Sequence, residues 1–566
     1  MTGSSAPSSA QLDACFQAIE EQCASRGLVA TRLDDASSGW IGVRLQGASR
    51  SWDLYVDCAE IELKLPRVWL GAPRGLLAHV SYNGTVCVND GQGLSIDPDR
   101  HEDIAAYTLL AGFDLLEKWG TGSPACSQEF FNELEGYWSW LPGALRGRAS
   151  FEVDGVDRLV TGYVNNKRKS PTWFFVERGQ AAPSEFNVDK LASQRTLYVH
   201  LDEFPDPPAH PDKLTPAFVE AVLARFSPQQ MDLWGSLVGP SKNGPKQVTL
   251  LVSCPRHAGG RSLVGFVFGA NKGVIDQRVA VAPITVHRHT ASYMRERGGA
   301  SLDLMGKHVA VLGCGAVGSV VADALAAAGV GKLTLVDHED FSEDNVFRHV
   351  LEPMYIGIPK PIGLQFQFQR KYPGIQVTSV NTTAQTWLKS ADLAKLDGIV
   401  LAFGAPSVER SFSRALKDKK HQFPVVFTWL EALDLGGHSI LMWTRGDGCL
   451  DCIYRDDEGM PMLYPRTTFL EPNQHVTRNL TGCGSTFVPY GALQSRRTGL
   501  MAAEHLLSSW GREPMPSYRY WVGDGSVAAD AGLKTTHWWT VANQVTQIDA
   551  SSRVFGRPCK RCRGAA

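Results

Sequence analysis

Three patterns of hydrophobic and polar positions follow one another along the chain. In the first, apolar residues recur at helical spacing over residues 12–23, which predicts an amphipathic helix that ends at Gly27. Alternating stretches over 40–45 and 52–57 predict strands, and residues 66–93 show little periodicity. Helical spacing returns over 101–119 and 127–138. This order predicts one α+β domain over residues 1–145.

The second pattern, over residues 146–290, is dominated by predicted strands. They cover residues 172–176, 196–201, 248–252 and 263–268, with one helix over 216–226. The prolines of residues 204–211 predict a loop, because proline fixes φ and lacks a backbone donor. We find no candidate chemistry in this region. We therefore expect a β-rich middle domain that acts as a linker or docking module.

The third pattern, over residues 291–566, alternates strands with helices. Residues 307–312 predict a buried strand, 316–328 a helix and 332–336 another strand. Such alternation is typical of a parallel, doubly wound sheet. The expected fold class of this domain is α/β and Rossmann-like.

Composition and charge narrow the classes of function. The chain has 566 residues, of which 43% are apolar and 20% charged, and its formal net charge is −2. This balance gives no reason to expect a nucleic acid or an anionic membrane as the main partner. We see neither a signal peptide nor an apolar run of about 18 residues, so we expect a cytoplasmic protein without a membrane span. In that compartment the twelve cysteines favour metal binding or thiol chemistry over disulfides.

A glycine-rich turn joins the first predicted strand of the third domain to its helix. Gly313 permits the tight turn, Gly315 lets the backbone approach a phosphate, and Gly318 lets the helix pack on the strand. Asp337 ends the next strand, where it can accept hydrogen bonds from ribose hydroxyls. These features alone fit ATP, NAD or a turn that binds nothing.

The residues after Asp337 favour ATP. Arg348 can hold phosphate in a bidentate fork, and Lys360 can act as a point charge. Hydride transfer does not need that much positive charge, so a triphosphate is the better fit.

These motifs resemble the adenylation domain of the ThiF/MoeB and ubiquitin-activating enzyme family over residues 304–562. The resemblance implies that Asp337 binds ribose and that Asn345, Arg348 and Lys360 hold the phosphates of magnesium ATP. It also implies a homodimer in which an arginine reaches the partner's ATP. Arg295 and Arg297 are candidates for that arginine, or else solvated surface residues.

Two positions depart from the family pattern. His349 stands where the family usually has glutamine, and Gly404 stands where it usually has an aspartate linked to magnesium. We therefore assign no carboxylate to magnesium.

Two cysteine pairs predict a zinc site. Each pair, Cys449-x-x-Cys452 and Cys559-x-x-Cys562, can hold one side of a tetrahedral ion. Four sulfurs close the coordination shell, so this zinc would be structural, and the long interval between the pairs matches the zinc clip of the resembling family. Redox-active pairs are the alternative.

Cys483 lies in a glycine-rich stretch between the two pairs, shortly before a helix predicted to start near Pro489. A thiolate near a helix N-terminus is stabilised and reactive. The resemblance implies that this cysteine attacks the acyl adenylate, whereas a small buried turn residue is the alternative.

The first domain carries a second candidate nucleophile. The run from His79 to Cys87, with Gly84 between them, resembles the active-site region of ubiquitin-conjugating enzymes. His79 falls where that family has an asparagine, so it could support an oxyanion, act as a base, or only cap a turn. We expect the remaining cysteines of the first two domains to lie in hydrophobic cores: Cys15, Cys23, Cys58, Cys126 and Cys254.

Together these features predict a fused activating and conjugating enzyme. ATP would activate the C-terminus of a tailed protein, Cys483 would take it as a thioester, and Cys87 would pass it to a target amine, a lysine. The layout resembles the ancillary enzyme of bacterial CBASS antiphage systems, which implies a CD-NTase or ubiquitin-like carrier as partner. The alternatives are a sulfur-carrier adenylyltransferase with an inactive N-terminal domain, a nucleotide-binding zinc scaffold, and a dehydrogenase.

Overall fold

The computed structural model describes residues 7–59, 65–71, 76–89, 97, 99–120, 122–165, 172–181, 192–210, 214–239, 246–417, 419–480, 486–555 and 559–562. The chain forms two compact units, Met1–Thr290 and Ala291–Ala566. Each unit has hydrophobic cores of its own. Within the described residues, no helix is both long and apolar enough to cross a membrane.

The N-terminal unit begins with two helices on an antiparallel sheet. Ser8 and Gln11 form a capping box at the start of the first helix, which explains where it begins. The five strands follow chain order, and the helices bury Ile19 and Leu109 against them. The predicted helices at 12–23 and 101–119 are confirmed. The elements are α1 (Ser9–Ser25), β1 (Ala30–Leu33), β2 (Trp40–Gln46), β3 (Ser51–Asp57), β4 (Val68–Leu70), β5 (Thr85–Val86) and α2 (His101–Trp119).

The helix predicted over residues 127–138 is two helices, α3 (Pro124–Asn132) and α4 (Leu134–Ser139). The break falls at Glu133, whose φ and ψ of −96° and 4° are not helical. Trp138 of α4 donates its indole N–H to the carbonyl oxygen of Gly265 across 3.0 Å. Glu135 pairs with Arg288 at 2.6 Å. Both bonds tie α4 to strands that come much later in the chain.

The strands of residues 145–288 close into a barrel. The ring order is β10, β9, β7, β8, β6, β13 and β11, and β11 pairs back onto β10. Phe175, Tyr198 and Ile284 lie in one of its buried clusters. The elements are β6 (Leu145–Ala149), β7 (Arg158–Asn165), β8 (Thr172–Glu177), β9 (Ala192–His200), α5 (Pro216–Leu223), α6 (Pro228–Leu237), β10 (Lys246–Pro255), β11 (Arg261–Asn271), β12 (Val274–Ile275) and β13 (Ala282–Arg288).

The C-terminal unit is built on a doubly wound sheet, as the sequence predicts. Its strand order is β16-β15-β14-β17-β18-β19-β22, parallel through β18 and antiparallel beyond it. The elements of its first half are α7 (Ala291–Arg297), β14 (His308–Leu312), α8 (Ala316–Ala328), β15 (Lys332–Asp337), α9 (Lys360–Lys371), β16 (Gln376–Asn381), α10 (Ala384–Ser390), β17 (Gly398–Leu401) and α11 (Pro406–Leu416).

The second half of this unit extends the sheet and covers it. Helix α12 packs against α8 and the central strands, where Ala502 and Leu506 are buried. The elements are β18 (Pro424–Leu430), β19 (Gly436–Trp443), β20 (Arg478–Asn479), β21 (Thr486–Phe487), α12 (Ala492–Leu507), β22 (Ser517–Val522), α13 (Ser526–Asp530), α14 (His537–Ala542) and α15 (Gln547–Phe555).

Candidate active sites and zinc site

Cys87 lies directly after β5 with its side chain exposed. Its backbone N–H donates to the carbonyl oxygen of His79 across 2.7 Å, which holds the two residues together. Gly84 makes the turn possible: its φ is +91°, and a Cβ there would lie 2.7 Å from the carbonyl oxygen of Leu70. Cys87 and His79 line one cavity of about 440 Å³. The thiol therefore borders open space.

His79 takes a left-handed conformation, with φ of 61°, which is uncommon outside glycine. Its Nε2 lies 3.0 Å from Oε1 of Glu129, a residue of α3. Hydrogen bonds from Asn132 and then from His79 lower the pKa of the Glu129 carboxyl. Glu133 lines the same cavity, and the ligand atoms of His79, Glu129 and Glu133 lie within 4.8 Å of one another. Sequence patterns single out His79 but neither glutamate.

The other cysteines expected in hydrophobic cores are buried, which confirms that prediction: Cys15, Cys23, Cys58, Cys126 and Cys254. Burial raises the pKa of the Cys254 thiol to about 12, so this sulfur is protonated at neutral pH.

In the C-terminal unit, the glycine turn follows β14. Gly313 has φ of +85°, and a Cβ there would lie 2.8 Å from the carbonyl oxygen of Ala402. A Cβ on Gly318 would collide with the carbonyl oxygen of Gly313. Gly315, the N-cap of α8, has no atom within 4 Å of its Cβ position. Gly313 and Gly318 are thus required by packing, whereas Gly315 faces open space.

A cavity of about 390 Å³ opens at the carboxyl ends of the parallel strands. Gly313, Gly315 and Asp337 line it, together with residues that follow β16 and β17. This is the switch point of a doubly wound sheet, where such folds bind ligands. The Asp337 carboxylate accepts hydrogen bonds from the N–H groups of Cys314 at 2.6 Å and Glu339 at 2.9 Å. The volume is in the range of small-molecule sites.

The residues predicted to bind phosphates have partners within the protein. Lys360, the first residue of α9, is buried and donates from Nζ to the carboxylate of Glu339, which lines the cavity. The guanidinium of Arg348 lies 5.2 Å from the ring centroid of Tyr490. Oδ1 of Asn345 accepts two long hydrogen bonds from Ser342, one from its backbone N–H at 3.4 Å and one from its hydroxyl at 3.3 Å.

The buried side chain of His349 is hydrogen-bonded to the glycine turn. Its Nε2 donates to the carbonyl oxygen of Cys314 across 2.7 Å, and its Nδ1 accepts from the N–H of Leu351 at 3.1 Å. Burial lowers the pKa of His349 to about 4, so the ring is neutral at neutral pH. A neutral imidazole offers one donor and one acceptor, as a glutamine amide does. This explains how histidine can occupy the position.

Gly404 offers no carboxylate to a metal, and the buried carboxylate of Glu409 is bonded to the same turn. The N–H of Gly404 donates to Oε1 of Glu409 across 3.1 Å, so Glu409 fixes the turn after β17. Burial raises the pKa of Glu409 to about 7, although backbone hydrogen bonds from this turn oppose the shift. In the described cavity wall, the carboxylates are Asp337 and Glu339, and the Glu339 side chain is 60% exposed.

The four cysteines of the two pairs come together. Their sulfurs lie within 4.8 Å of one another; Cys449 is 3.9 Å from both Cys452 and Cys559, and Cys452 is 3.5 Å from Cys562. A tetrahedral ion with Zn–S bonds of about 2.3 Å needs sulfurs about 3.8 Å apart, so the donor set fits zinc.

Asp451, between Cys449 and Cys452, ties this cluster to α11. It is buried and accepts from Arg410 and Arg414 of α11 at 2.9 and 2.8 Å. The two arginines lower the pKa of Asp451 against the opposing effect of burial. The candidate zinc site thereby joins the end of the chain to a helix of the doubly wound fold.

Residues 288–519 match the sequence model of the ThiF family. They form a ThiF-family domain. Curated relatives include the ATP-dependent ubiquitin transferase-like protein Cap2 of Pseudomonas aeruginosa (strain BWHPSA011 / Pa011), 27% identical over 247 residues, which are 41% of this chain and 43% of that protein. Cap2 of Vibrio cholerae serotype O1 is 26% identical over 214 residues, 37% of this chain and 36% of that protein. The matched region thus spans less than half of each relative's length.

Among solved structures, Escherichia coli MccB with ATP is 16% identical to this chain. The alignment covers 41% of this chain and 64% of that chain, with a TM-score of 0.28.

Within the ThiF domain, Cys483 lies outside the described residues. The strands on either side of it are paired, with Asn479 opposite Thr486. The following helix, α12, begins at Ala492 and not near Pro489. Residues 486–491 precede the helix and are not part of it. Leu433 donates its N–H to the carbonyl oxygen of Pro489 at 2.8 Å, and this bond holds the stretch out of the helix.

Two left-handed residues support the start of α12. Leu433 and Asp434 have φ of 55° and 61°, and Oδ1 of Asp434 accepts from the N–H of Gly491, the N-cap of α12, at 2.6 Å. Two consecutive non-glycine residues in this conformation store strain, which surrounding contacts must hold.

Of the two arginines proposed to reach a partner's ATP, Arg295 is used inside the ThiF domain. It is buried and donates to the carbonyl oxygen of Gly329. The expectation for Arg295 is therefore wrong, because its guanidinium caps the end of α8. Arg297 is exposed.

Proposed function

We propose that this chain uses ATP to activate the C-terminal carboxylate of a partner protein and then conjugates that protein to an amine. The activated tail would pass as a thioester from Cys483 to Cys87. The observation that supports this most directly is the exposed Cys87 thiol at a cavity, on a chain that also carries a ThiF-family domain.

The first step would be adenylation in the cavity at the glycine turn. The partner's carboxylate oxygen attacks the α-phosphorus of ATP, pyrophosphate leaves, and an acyl adenylate remains. Asp337 would bind ribose, the turn of Gly313, Gly315 and Gly318 and the N-terminus of α8 would face the phosphates, and Asn345, Arg348 and Lys360 would hold the remaining charge. The contact between Lys360 and Glu339 would exchange for a phosphate contact when ATP binds.

Magnesium would neutralise the phosphates. Such sites use one or two carboxylates besides phosphate oxygens and water. Glu339 fits this role as an exposed carboxylate of the cavity wall, in place of the aspartate that Gly404 replaces.

The adenylate is needed because a carboxylate alone does not acylate a thiol. The Cys483 thiolate would attack the acyl carbon and release AMP. The Cys87 thiolate would then displace Cys483, a nearly isoenergetic exchange that needs no further ATP. An amine nitrogen, that of a target lysine, finally displaces Cys87 and forms an amide. Zinc at the four-cysteine site would stabilise the end of the chain and take no part in this chemistry.

The name that the curated relatives carry, ATP-dependent ubiquitin transferase-like protein Cap2, supports the same reaction class. By that likeness the partner would be a CD-NTase with a ubiquitin-like tail, in a cytoplasmic CBASS antiphage system. A homodimer is part of the proposal. Phe347 and Met354 of the ThiF domain, 91% and 70% exposed, fit an apolar contact surface, and Arg297 is the arginine that could reach a partner's ATP.

The test uses purified full-length chain, magnesium ATP and a tailed CD-NTase. We expect exchange of pyrophosphate into ATP that depends on the tail, and DTT-resistant conjugates. Cys87→Ala should keep the exchange and abolish the conjugates. Exchange of pyrophosphate into ATP that does not depend on the partner's tail would contradict the proposal. Binding of NAD in place of ATP would contradict it as well. Tail-dependent exchange without conjugates in the natural chain would favour the sulfur-carrier alternative.

A further inference from the structure

Part of the Cys87 cavity wall is acidic, because Glu133 lines the cavity and Glu129 lies close behind it. Glu129 and Glu133 come from the end of α3, and their carboxylate oxygens lie within 4.8 Å of each other and of a His79 nitrogen. Glu133 is exposed and lines the cavity, and within the described residues its carboxylate makes no hydrogen bond. Glu129 is bonded to His79 and, at 2.9 Å, to Asn132.

Two cations near this acidic wall, Arg67 and Lys118, have other contacts. Arg67 lines the cavity but is bound to Asp57 at 2.6 Å, a carboxylate of β3. The ammonium of Lys118 lies 4.6 Å from the ring centroid of Trp119, and its charge contributes to the lowered pKa of Glu129, whereas Glu133 keeps its exposed carboxylate in the cavity wall. The wall beside the thiol therefore offers negative charge to an incoming ligand.

Another part of the cavity wall is aromatic, beside polar residues such as Ser81 and Asn89. Phe130, Tyr137 and Trp140 line it, and Trp140 is 58% exposed at the surface. A ligand with a cationic head on an aliphatic stem matches an acidic wall beside an apolar one, as lysine side chains do elsewhere.

We propose that Glu133, Glu129 and His79 form an acceptor subsite that binds the ammonium group of a target lysine beside the Cys87 thioester. This inference rests on the proposed function and adds to it the groups that select a cationic amine. Glu133 contacts the ammonium, whereas Glu129 fixes the His79 ring through the 3.0 Å bond. Alcohols and neutral nucleophiles gain nothing from this wall.

Amide formation at the subsite consumes the lysine ammonium and the Cys87 thioester. The lysine ammonium first loses one proton, through the Glu133 carboxylate or His79, to solvent. The free amine forms a C–N bond to the thioester carbonyl carbon, and the C–S bond breaks to release the Cys87 thiolate. The nitrogen loses its second proton, which ends on that thiolate. The products are an amide, a thiol and one proton.

The experiment loads Cys87 with the tailed partner, removes ATP with apyrase, and follows thioester decay on non-reducing gels. Free lysine supplies a cationic acceptor, and hydroxylamine supplies an acceptor that is neutral at pH 7. The variants are Glu133→Gln, Glu129→Gln and His79→Ala, with Glu20→Gln of α1 as matched control because Glu20 is exposed and away from the cavity. Thermal melting verifies that each variant is folded.

We expect Glu133→Gln to raise the KM for lysine about 3- to 10-fold with little change in kcat. His79→Ala and Glu129→Gln should lower kcat for lysine. Discharge to hydroxylamine by Glu133→Gln should match the natural chain, and Glu20→Gln should change neither reaction. EDTA, added after loading, should also change neither, because an ammonium and not a metal occupies the subsite.

Equal loss of both discharge reactions in Glu133→Gln, or no loss of either, would overturn the inference while leaving the Cys87 thioester in place. Dependence of lysine discharge on a divalent cation would overturn it as well. Failure of the natural chain to load Cys87 would instead reject the proposed function, and this subsite with it.

Discussion

The imidazole of His349 joins its own segment to the glycine turn, because its Nε2 donates to the carbonyl oxygen of Cys314 across 2.7 Å. Its Nδ1 accepts from Leu351, so both nitrogens are used in a buried place. The segment that carries Asn345 and Arg348 is thereby fixed to the turn that lines the candidate nucleotide cavity.

We predict that His349→Gln keeps ATP affinity within a few-fold, since an amide supplies the same donor and acceptor. His349→Leu should leave the Cys314 carbonyl and the Leu351 N–H unpaired, at a cost of about 2 kcal/mol or more in the free energy of unfolding. Urea unfolding and calorimetric ATP titration measure both effects. Equal behaviour of the two variants would mean that the hydrogen bonds are not what matters at this position.

Two glycines of the turn should respond differently to the same substitution. Gly318→Ala forces a Cβ into the carbonyl oxygen of Gly313, so it should lower the melting temperature markedly. Gly315→Ala meets no atom within 4 Å and has φ of −77°, so the protein should remain as stable as before. It should nevertheless lose ATP affinity, because the methyl group occupies the space where a phosphate would approach. Retained affinity in Gly315→Ala would move the nucleotide elsewhere.

The four-cysteine site should hold one zinc ion per chain. Elemental analysis of the purified protein should give that ratio, and Cys449→Ser should lose the metal and unfold at lower temperature, since zinc binding contributes to folding free energy. Cys87→Ala is the matched control and should keep its zinc. A full zinc content in Cys449→Ser would place the ion at another site.

Glu409 should give the stability of the ThiF domain a specific pH dependence. Its pKa of about 7 in the folded state lies above the value in the unfolded chain, about 4.3. The contribution of this group is fully present below the unfolded value and is lost as pH rises through about 7. Glu409→Gln carries no charge at any pH, so its stability relative to the natural chain should rise by about 3 kcal/mol between pH 4 and 8. Denaturant unfolding at several pH values measures this difference, and parallel curves would contradict the account.

Sequence patterns predicted the features that depend on local order. Residue spacing within short segments was enough to predict three features. They are the glycine turn with Asp337, the helix over 101–119 and the alternation of strands and helices. The four-cysteine cluster could be found because zinc chelation typically uses pairs at a fixed short interval.

Features that depend on tertiary contacts could not be found in this way. Glu129 reaches His79 from a helix 50 residues away, and nothing near either residue signals the bond. Arg295 looks like any charged helix residue until the end of α8 buries it. Glu409 is a glutamate at an ordinary helical position whose pKa is set by the turn that folds over it.

The start of α12 differs from the sequence prediction for a similar reason. Proline is common at the first position of helices, so Pro489 favoured a helix start at that residue. In the structure, the contact of Pro489 with Leu433 and the bond from Gly491 to Asp434 delay the helix to Ala492. Both contacts come from a turn much earlier in the chain, since Asp434 lies 57 residues before Gly491.

The most direct test of the central claim is intact-mass analysis of a single turnover under non-reducing conditions. With magnesium ATP and the tailed partner, the natural chain should gain the partner's mass less one water through a DTT-labile bond, and peptide mapping should find that bond at Cys87. Cys87→Ala should hold the same mass at Cys483 instead, and Cys483→Ala should hold none. A Cys87 adduct that forms in Cys483→Ala, or conjugates that persist in Cys87→Ala, would contradict the transfer from one cysteine to the other.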